Sequence, residues 1–186
     1  MTAISRCECH IGLGSNLGDR AAYLAAAVAA LGRQERVQVG RASGVYETAP
    51  VGGPPGQQPY LNMAISVVTS LSAPALLECC QRIERRLGRE RTVLHGPRTA
   101  DLDLLLFGER IEQTNMLTLP HPRMHLRRFV LEPLAEIAPE ALHPVLGRTV
   151  GELLARLDPG ECGGRFCRRV AEAPAGAMAL RSVSSL

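Results

Sequence analysis

Residues 96–107 read GPRTADLDLLLF and carry the most informative strand pattern in the chain. Successive side chains of a strand point to opposite faces, so Asp101 and Asp103 are predicted to share one face. The opposite face is expected to pack into the core through Leu102, Leu104 and Leu106. The segment Ala100–Phe107 is therefore predicted to be a strand with apolar side chains on one face and two carboxylates on the other.

The segments on either side of this strand predict an alternation of strands and helices. In chain order they are a strand at 8–13, a helix at 20–31, an interrupted strand at 36–47, a strand at 60–69, a helix between Ser72 and Gly88, the strand at 100–107, and helices at 127–137 and 150–157. The core order βαββαβ is typical of a ferredoxin-like α+β fold, with helices packed on an antiparallel sheet. We expect one domain over residues 8–157. Residues 158–186 are rich in Gly, Pro, Arg and Ser and are predicted to form a loosely ordered tail.

Composition limits the classes of protein to which the chain can belong. The chain has 186 residues, of which 46% are hydrophobic and 21% charged, the range of a globular domain. No apolar run approaches the ~20 residues that span a bilayer, and residues 1–10 lack the apolar core of a signal peptide. We therefore expect a cytoplasmic protein without a membrane partner. The six cysteines form no CxxC pair and are expected to stay reduced.

All 21 basic residues are arginine, and the chain contains no lysine. This excludes Schiff-base chemistry on a lysine and a phosphate loop of the Walker type, which requires one. A bound phosphate must therefore be held by arginine, by backbone groups or by a metal ion. The net charge of +3 is too small to predict nucleic-acid binding on its own.

Two sequence features together predict a polyphosphate site. Asp101 and Asp103 on one strand face repel each other unless a cation lies between them, and Mg²⁺ is typically held by one or two carboxylates plus phosphate oxygens. Residues 82–91, RIERRLGRER, contain five arginines, and arginine recognises phosphate by two parallel hydrogen bonds. Alternatively, the carboxylates are solvated or paired with Arg98, and the arginines form a solvated helix face. The succession of both features in one segment favours binding of Mg²⁺ and polyphosphate.

Several motifs, taken together, resemble one known enzyme family. They are Gly12-Leu13-Gly14-Ser15-Asn16, residues 46–52, Tyr60-Leu61-Asn62, residues 81–84, residues 96–103, and residues 119–129. This set resembles 6-hydroxymethyl-7,8-dihydropterin pyrophosphokinase, an enzyme of folate biosynthesis. The resemblance implies transfer of pyrophosphate from ATP to the hydroxymethyl group of the pterin, with release of AMP. The expected partners are these two small molecules, without nucleic acid.

The resemblance also implies roles for individual residues. Asp101 and Asp103 are expected to hold two Mg²⁺ ions, and Arg89 and Arg98 to be catalytic arginines. The implied ATP contacts are Gln81, Glu84, Arg91, Arg98, Thr118, His121 and Arg127. The implied pterin contacts are Thr48, Ala49, Val51, Tyr60, Asn62 and Phe129.

Two alternatives remain at the level of sequence. A member of the family could bind pterin or nucleotide without turnover, because Leu94 and His95 stand where the family usually has Arg and Trp. A ferredoxin-like sheet could also bind RNA through the arginine cluster. The small number of aromatic residues and the two aspartates disfavour RNA binding.

Overall fold

The computed structural model describes residues 6–89, 96–157 and 167–174. The strands are β1 (Cys7–Ser15), β2 (Val37–Ala42), β3 (Val45–Thr48), β4 (Tyr60–Thr69), β5 (Asp101–Phe107), β6 (Glu112–Gln113), β7 (Thr118–Leu119), β8 (Leu142–His143), β9 (Arg148–Thr149) and β10 (Cys167–Ala171). The helices are α1 (Arg20–Gly32), α2 (Ala73–Arg86), α3 (Arg128–Ile137) and α4 (Val150–Arg156). Asp19 and Ser72 cap α1 and α2 by accepting backbone N–H groups, as their positions in the sequence predict.

The main sheet confirms the predicted α+β class. Its strands run in the order β10-β3-β4-β1-β5, β2 pairs with the other end of β4, and every pair is antiparallel. The interrupted strand predicted over 36–47 therefore divides into β2 and β3, which occupy one sheet position. Two short hairpins, β6-β7 and β8-β9, lie outside this sheet.

Helices cover both faces of the sheet. On the first face, which we call the closed face, α1 and α2 bury a continuous apolar cluster that includes Leu24, Leu76 and Ile65. On the second face, which we call the open face, α3 and α4 bury a smaller cluster around Leu131 and Leu134. Alternation along β4 sends neighbouring residues to different clusters, as expected for a strand between two layers. The open face has the smaller apolar cluster, and this leaves room for a cleft.

The predicted alternation of β5 is confirmed for its first half and is wrong for Leu106. Leu102 and Leu104 pack on the closed face, whereas Leu105 and Leu106 both belong to the open-face cluster. The cause is a register shift opposite the step between His10 and Ile11, where Leu106 pairs with His10 but Leu104 pairs with Ile11. An extra residue in one strand of a pair interrupts the period of two.

The prediction of a loosely ordered tail over 158–186 is wrong for residues 167–171. These residues form β10, which pairs with β3 at the edge of the sheet. Cys167 lies opposite Thr48, Arg168 opposite Glu47 and Arg169 opposite Tyr46. The segment CRRVA lacks the apolar alternation of a half-buried strand, so its strand structure depends on contacts distant in sequence.

Two further observations concern helices and cysteines. No helix of the described residues is long and apolar enough to cross a membrane. Cys7, Cys9, Cys79 and Cys80 are free thiols in the structure, and the expectation that the cysteines stay reduced remains a prediction. Cys162 lies outside the described residues.

Candidate active site

An open cleft of about 220 Å³ lies on the open face, beside the first residues of β4, β5 and α3. Most of the residues that the sequence predicted for a site line this cleft. They are Thr48, Ala49, Val51, Tyr60, Asn62, Arg89, Arg98, Asp101, Asp103, His121, Arg127 and Phe129. Segments separated by up to about eighty positions thus meet at one end of the sheet.

Asp101 is held between two arginines. Its Oδ1 lies 2.5 Å from Nη1 of Arg89, and its Oδ2 lies 2.6 Å from Nη1 of Arg98. The pairing with Arg98 that the sequence left open is therefore present in the structure. It also fixes two cationic side chains at the position where a phosphate chain would lie beside the carboxylates.

Asp103 lines the same cleft and is less tightly paired. Its Oδ2 lies 3.9 Å from Nε2 of His121. The pKa of Asp103 is raised above its usual range, first by partial burial in the cleft and second because Asp101 adds a negative charge. Arg127 and Arg89 act in the opposite direction. A cation between the two aspartates would remove this repulsion.

The histidine side of the cleft carries excess positive charge. Burial and the neighbouring Arg127 and Arg123 lower the pKa of His121 to about 4, so its imidazole is neutral at pH 7. The pKa of Arg127 is lowered by its own burial and by Arg123. Such a group of arginines is suited to a ligand with several negative charges.

Glu84 supports the charged end of the cleft from within α2. Its side chain is buried, and Oε1 accepts the backbone N–H of Leu102 at 2.7 Å. The same oxygen pairs with Nη1 of Arg89. Glu84 therefore connects α2, β5 and a cleft arginine in one set of contacts.

Asn16 supports the cleft from the end of β1. Its side chain is buried, its Oδ1 accepts the backbone N–H of Arg98 at 2.8 Å, and its Nδ2 donates to Oε1 of Gln57 at 3.0 Å. The predicted strand at 8–13 and the motif over residues 12–16 gave no indication of this link. The amide oxygen and the amide nitrogen of Asn16 bind two loops that are distant in sequence, so these contacts form only in the folded chain.

Tyr60, Asn62 and Phe129 line a part of the cleft that we call the aromatic end, and it adjoins the arginines. Nδ2 of Asn62 donates to Oγ1 of Thr48 at 2.7 Å, which fixes the orientation of the Asn62 amide. The guanidinium of Arg98 lies over the Tyr60 ring at 5.9 Å, and that of Arg127 lies over Phe129 at 5.5 Å. These rings and the Asn62 amide can receive a flat, polar heterocycle.

Gly14 gives this end of the cleft its floor. A Cβ atom at this position would lie 3.0 Å from Oδ1 of Asn62 and 3.9 Å from the Tyr60 ring. The absence of a side chain therefore keeps the space between Asn62 and Tyr60 open. Gly14 is an additional site residue beyond those predicted from the sequence.

Some predicted residues do not line the cleft. Gln81 and Thr118 lie outside its lining, Glu84 lies behind it, and their nucleotide contacts stay predictions. Arg91 lies outside the described residues. Arg82 and Arg86 of the predicted arginine cluster are not among the lining residues, whereas Arg123, which the sequence analysis did not single out, is one of them.

The donor set fits magnesium bound together with a polyphosphate. The described residues contain no group of three or more His, Cys, Asp or Glu side chains that could hold a metal alone. The cleft instead offers Asp101 and Asp103, two oxygen donors whose mutual repulsion favours a cation. Mg²⁺ is commonly bound in this way, through few carboxylates and substrate phosphates.

The fold and the cleft define a class of protein: an α+β domain with a site typical of enzymes that act on polyphosphates. Comparison with known sequences gives the family. The family described as 7,8-dihydro-6-hydroxymethylpterin-pyrophosphokinase matches residues 10–139. The chain belongs to this family, which confirms the resemblance.

Curated relatives carry the name 2-amino-4-hydroxy-6-hydroxymethyldihydropteridine pyrophosphokinase. The protein of Bacillus subtilis is 54% identical over 128 residues, which cover 69% of this chain and 76% of that protein. The protein of Methylorubrum extorquens is 44% identical over 150 residues, covering 81% of this chain and 93% of the relative.

Solved structures support the fold. An HPPK-DHPS in complex with substrates has a TM-score of 0.63 at 13% identity, over 81% of this chain and 43% of that chain. A Plasmodium falciparum HPPK-DHPS with pteroate has a TM-score of 0.64 at 14% identity, over 84% and 44% of the two chains. This chain thus spans less than half the length of these structures.

Proposed function

We propose that this chain catalyses the pyrophosphokinase reaction of its family, in folate biosynthesis, with the cleft residues in the roles given below. The hydroxymethyl oxygen of the pterin attacks the β-phosphorus of ATP. The bond from that phosphorus to the oxygen bridging it to the α-phosphorus breaks, AMP leaves, and the hydroxyl proton passes to solvent. The products are the pterin diphosphate and AMP.

The arrangement of one charged and one aromatic end within a single cleft supports this function best. The charged end combines Asp101 and Asp103 with Arg89, Arg98 and Arg127, and the other end combines Tyr60, Asn62 and Phe129. A polyphosphate fits the first set and a flat heterocycle fits the second. When ATP binds at the charged end and the pterin at the aromatic end, the pterin hydroxyl group would lie next to the phosphate chain.

At the charged end, Asp101 and Asp103 would hold Mg²⁺, and we propose two ions as in the resemblance. Bound Mg²⁺ would neutralise phosphate charge and favour loss of the hydroxyl proton. Arg89 and Arg98 would stabilise the negative charge that grows on the transferred group and on the leaving AMP. His121 is neutral at pH 7 and its Nδ1 accepts the backbone N–H of Arg123 at 3.2 Å, so its Nε2 would donate a hydrogen bond to a phosphate without adding charge.

At the aromatic end, Tyr60 and Phe129 would enclose the pterin ring. Arg98 lies over the Tyr60 ring and Arg127 over the Phe129 ring, so a pterin at these rings would lie beside the charged end. Asn62 would hydrogen bond to the polar edge of the ring, in an orientation fixed by Thr48. Thr48, Ala49 and Val51 would complete the wall.

The direct test is analysis of nucleotides after incubation with ATP, Mg²⁺ and 6-hydroxymethyl-7,8-dihydropterin. We expect AMP only when the pterin is present, and none with Asp101→Ala. Formation of ADP would instead indicate ordinary phosphoryl transfer and contradict the proposal. Binding of both substrates without product would identify a member without turnover.

RNA binding is less consistent with the site. Asp101 and Asp103 face the cleft and would repel a phosphate backbone that arrives without metal. The expected absence of a nucleic-acid partner and the cytoplasmic location stay predictions.

A further inference from the structure

We propose that the C-terminal strand β10 is a positioning element for the aromatic end of the cleft, an inference that rests on the proposed function. The family match ends at residue 139, whereas β10 begins at Cys167. The strand therefore adds an edge to the sheet from a part of the chain outside the family match. No residue of β10 lines the described cleft, so its action would be indirect.

Backbone pairing connects β10 to the cleft wall. Cys167 lies opposite Thr48, the last residue of β3. Thr48 lines the cleft and accepts the hydrogen bond that orients Asn62. The chain continues from Thr48 into Ala49 and Val51, which also line the cleft. Pairing with β10 thus fixes the strand from which this wall emerges.

Arg169 connects β10 to the helix that carries the other wall. Its Nη2 lies 3.1 Å from Oε1 of Glu136 on α3, the helix that contains Phe129 near its start. Glu136 also accepts the backbone N–H of Gly44 at 3.1 Å and the hydroxyl of Tyr46 at 2.9 Å. One carboxylate thereby joins β10, β3 and α3.

Gly44 provides the space for this contact. The nearest atoms to a Cβ built at Gly44 all belong to the Arg169 guanidinium, and they would clash with it. A side chain at Gly44 would therefore displace Arg169 while leaving every residue of β10 unchanged. This gives an independent way to disturb the strand.

Arg168 extends the support to the loop over 49–59. Its Nη2 lies 3.3 Å from Oε2 of Glu47, whose other oxygen lies 3.2 Å from Nη1 of Arg20. The same Arg20 atom donates to the Pro59 carbonyl at 2.7 Å. Glu47 precedes the loop and Pro59 ends it, so Arg20 connects the two ends and Arg168 adds a second ion pair to Glu47. The pairs are partly exposed and act mainly on geometry.

The test separates substrate positioning from loss of folded protein. We expect Arg169→Ala and Gly44→Ala each to raise the KM for the pterin about fivefold. The KM for ATP and kcat should stay within twofold of the unchanged chain. Arg169→Lys should restore part of the pterin affinity, and Arg33→Ala, an exposed arginine on another surface, should change none of the three constants.

A double-variant cycle checks the mechanism. If Gly44→Ala acts by displacing Arg169, it should have no further effect in the Arg169→Ala background. Additive effects would overturn this role for Arg169. An unchanged KM for the pterin in Arg169→Ala, or an equal rise in both KM values with loss of kcat, would overturn the proposal for β10.

A binding measurement distinguishes failure of the β10 proposal from failure of the proposed function. The Kd for the pterin is measured for the same variants by equilibrium titration. An unchanged chain that binds pterin but forms no AMP would contradict the proposed function, while the pterin Kd of Arg169→Ala would still decide the role of β10. A fivefold weaker Kd supports the proposal, and an equal Kd overturns it.

Discussion

The closed and open faces of the sheet are made from the same strands, but substitutions on the two faces should have different effects on stability and activity. In β5, Leu102 and Leu104 pack into the apolar cluster of the closed face, beside α2, while Asp101 and Asp103 line the cleft on the open face. The closed face gains stability from a continuous apolar contact. The open face keeps like charges together, a cost that substrate and metal binding can offset. Adjacent residues of β5 should therefore give opposite results when they are replaced.

The largest expected effect is at the carboxylates. Asp103→Asn removes one negative charge and should lower kcat by about 10³-fold or more, because a metal ligand worth several kcal/mol is lost. Its free energy of unfolding should stay equal or rise, since the repulsion from Asp101 disappears. AMP formation and urea unfolding are measured on the same preparation. Turnover near that of the unchanged chain would contradict the metal assignment, and Glu109→Gln is the control for an exposed carboxylate.

Arg98 tests whether the open face acts on the transition state or only on binding. Arg98→Ala should lower kcat about 10²–10³-fold while the KM for ATP changes much less, as for other groups that stabilise developing charge. Arg98→Lys keeps the charge but not the paired geometry and should recover only part of the rate. A change confined to the KM for ATP would make Arg98 a binding residue.

Leu104 tests the closed face from the position next to Asp103. Leu104→Ala leaves a cavity under α2 and should lower the free energy of unfolding by about 3 kcal/mol, typical of buried leucines. Under conditions where the variant is folded, its kcat should stay within threefold. A large loss of kcat with little loss of stability would contradict the assignment of stability to the closed face and catalysis to the open face.

The aromatic end should show a smaller effect, specific to one substrate. Tyr60→Leu removes a ring that can stack on the pterin and should raise the KM for the pterin about tenfold, equivalent to about 1.4 kcal/mol. The KM for ATP should change less. Tyr23→Leu on α1 is the matched control outside the cleft lining. A comparable rise in both KM values would contradict the division of the cleft into two ends.

The smallest expected effect concerns a histidine buried in the sheet. Burial lowers the pKa of His10, and its Nε2 has no hydrogen-bond partner among the described residues. Below about pH 6.5 the unfolded chain therefore binds a proton that the folded chain resists, so stability falls as the pH is lowered. The loss is at most about 1.4 kcal/mol per pH unit for one group.

Comparison with His10→Phe isolates this group. Urea unfolding between pH 7.5 and 5.5 should show a steeper loss of stability for the unchanged chain than for the variant. His121 and His143 also have lowered pKa values and contribute equally to both chains. Parallel curves would show that His10 is protonated without cost.

The local part of the fold and of the site could be predicted from the sequence. Period-two alternation placed Asp101 and Asp103 on one face, and the caps Asp19 and Ser72 marked two helix starts. These signals act over a few residues. The order of elements then indicated the sheet, because few topologies accommodate βαββαβ.

The remainder depends on contacts between distant segments. The roles of Asn16 and Glu84 in fixing Arg98 and Arg89 arise only when β1, α2 and β5 are assembled. The strand β10 has a polar sequence, and its arginines meet Glu47 and Glu136 only in the folded chain. Periodicity within one segment contains no information about such partners.

The register shift of β5 has a consequence for the substitutions that the family can accept here. A polar side chain at position 101 or 103 faces the cleft, but the same residue at 106 would enter the apolar cluster of α3. An acidic residue at 106 would thus be an unpaired charge in a core, not a third member of the carboxylate row. Substitutions at positions 101 and 103 should therefore affect catalysis, whereas substitutions at position 106 should affect stability. Only hydrophobic residues should be accepted in the second half of the strand.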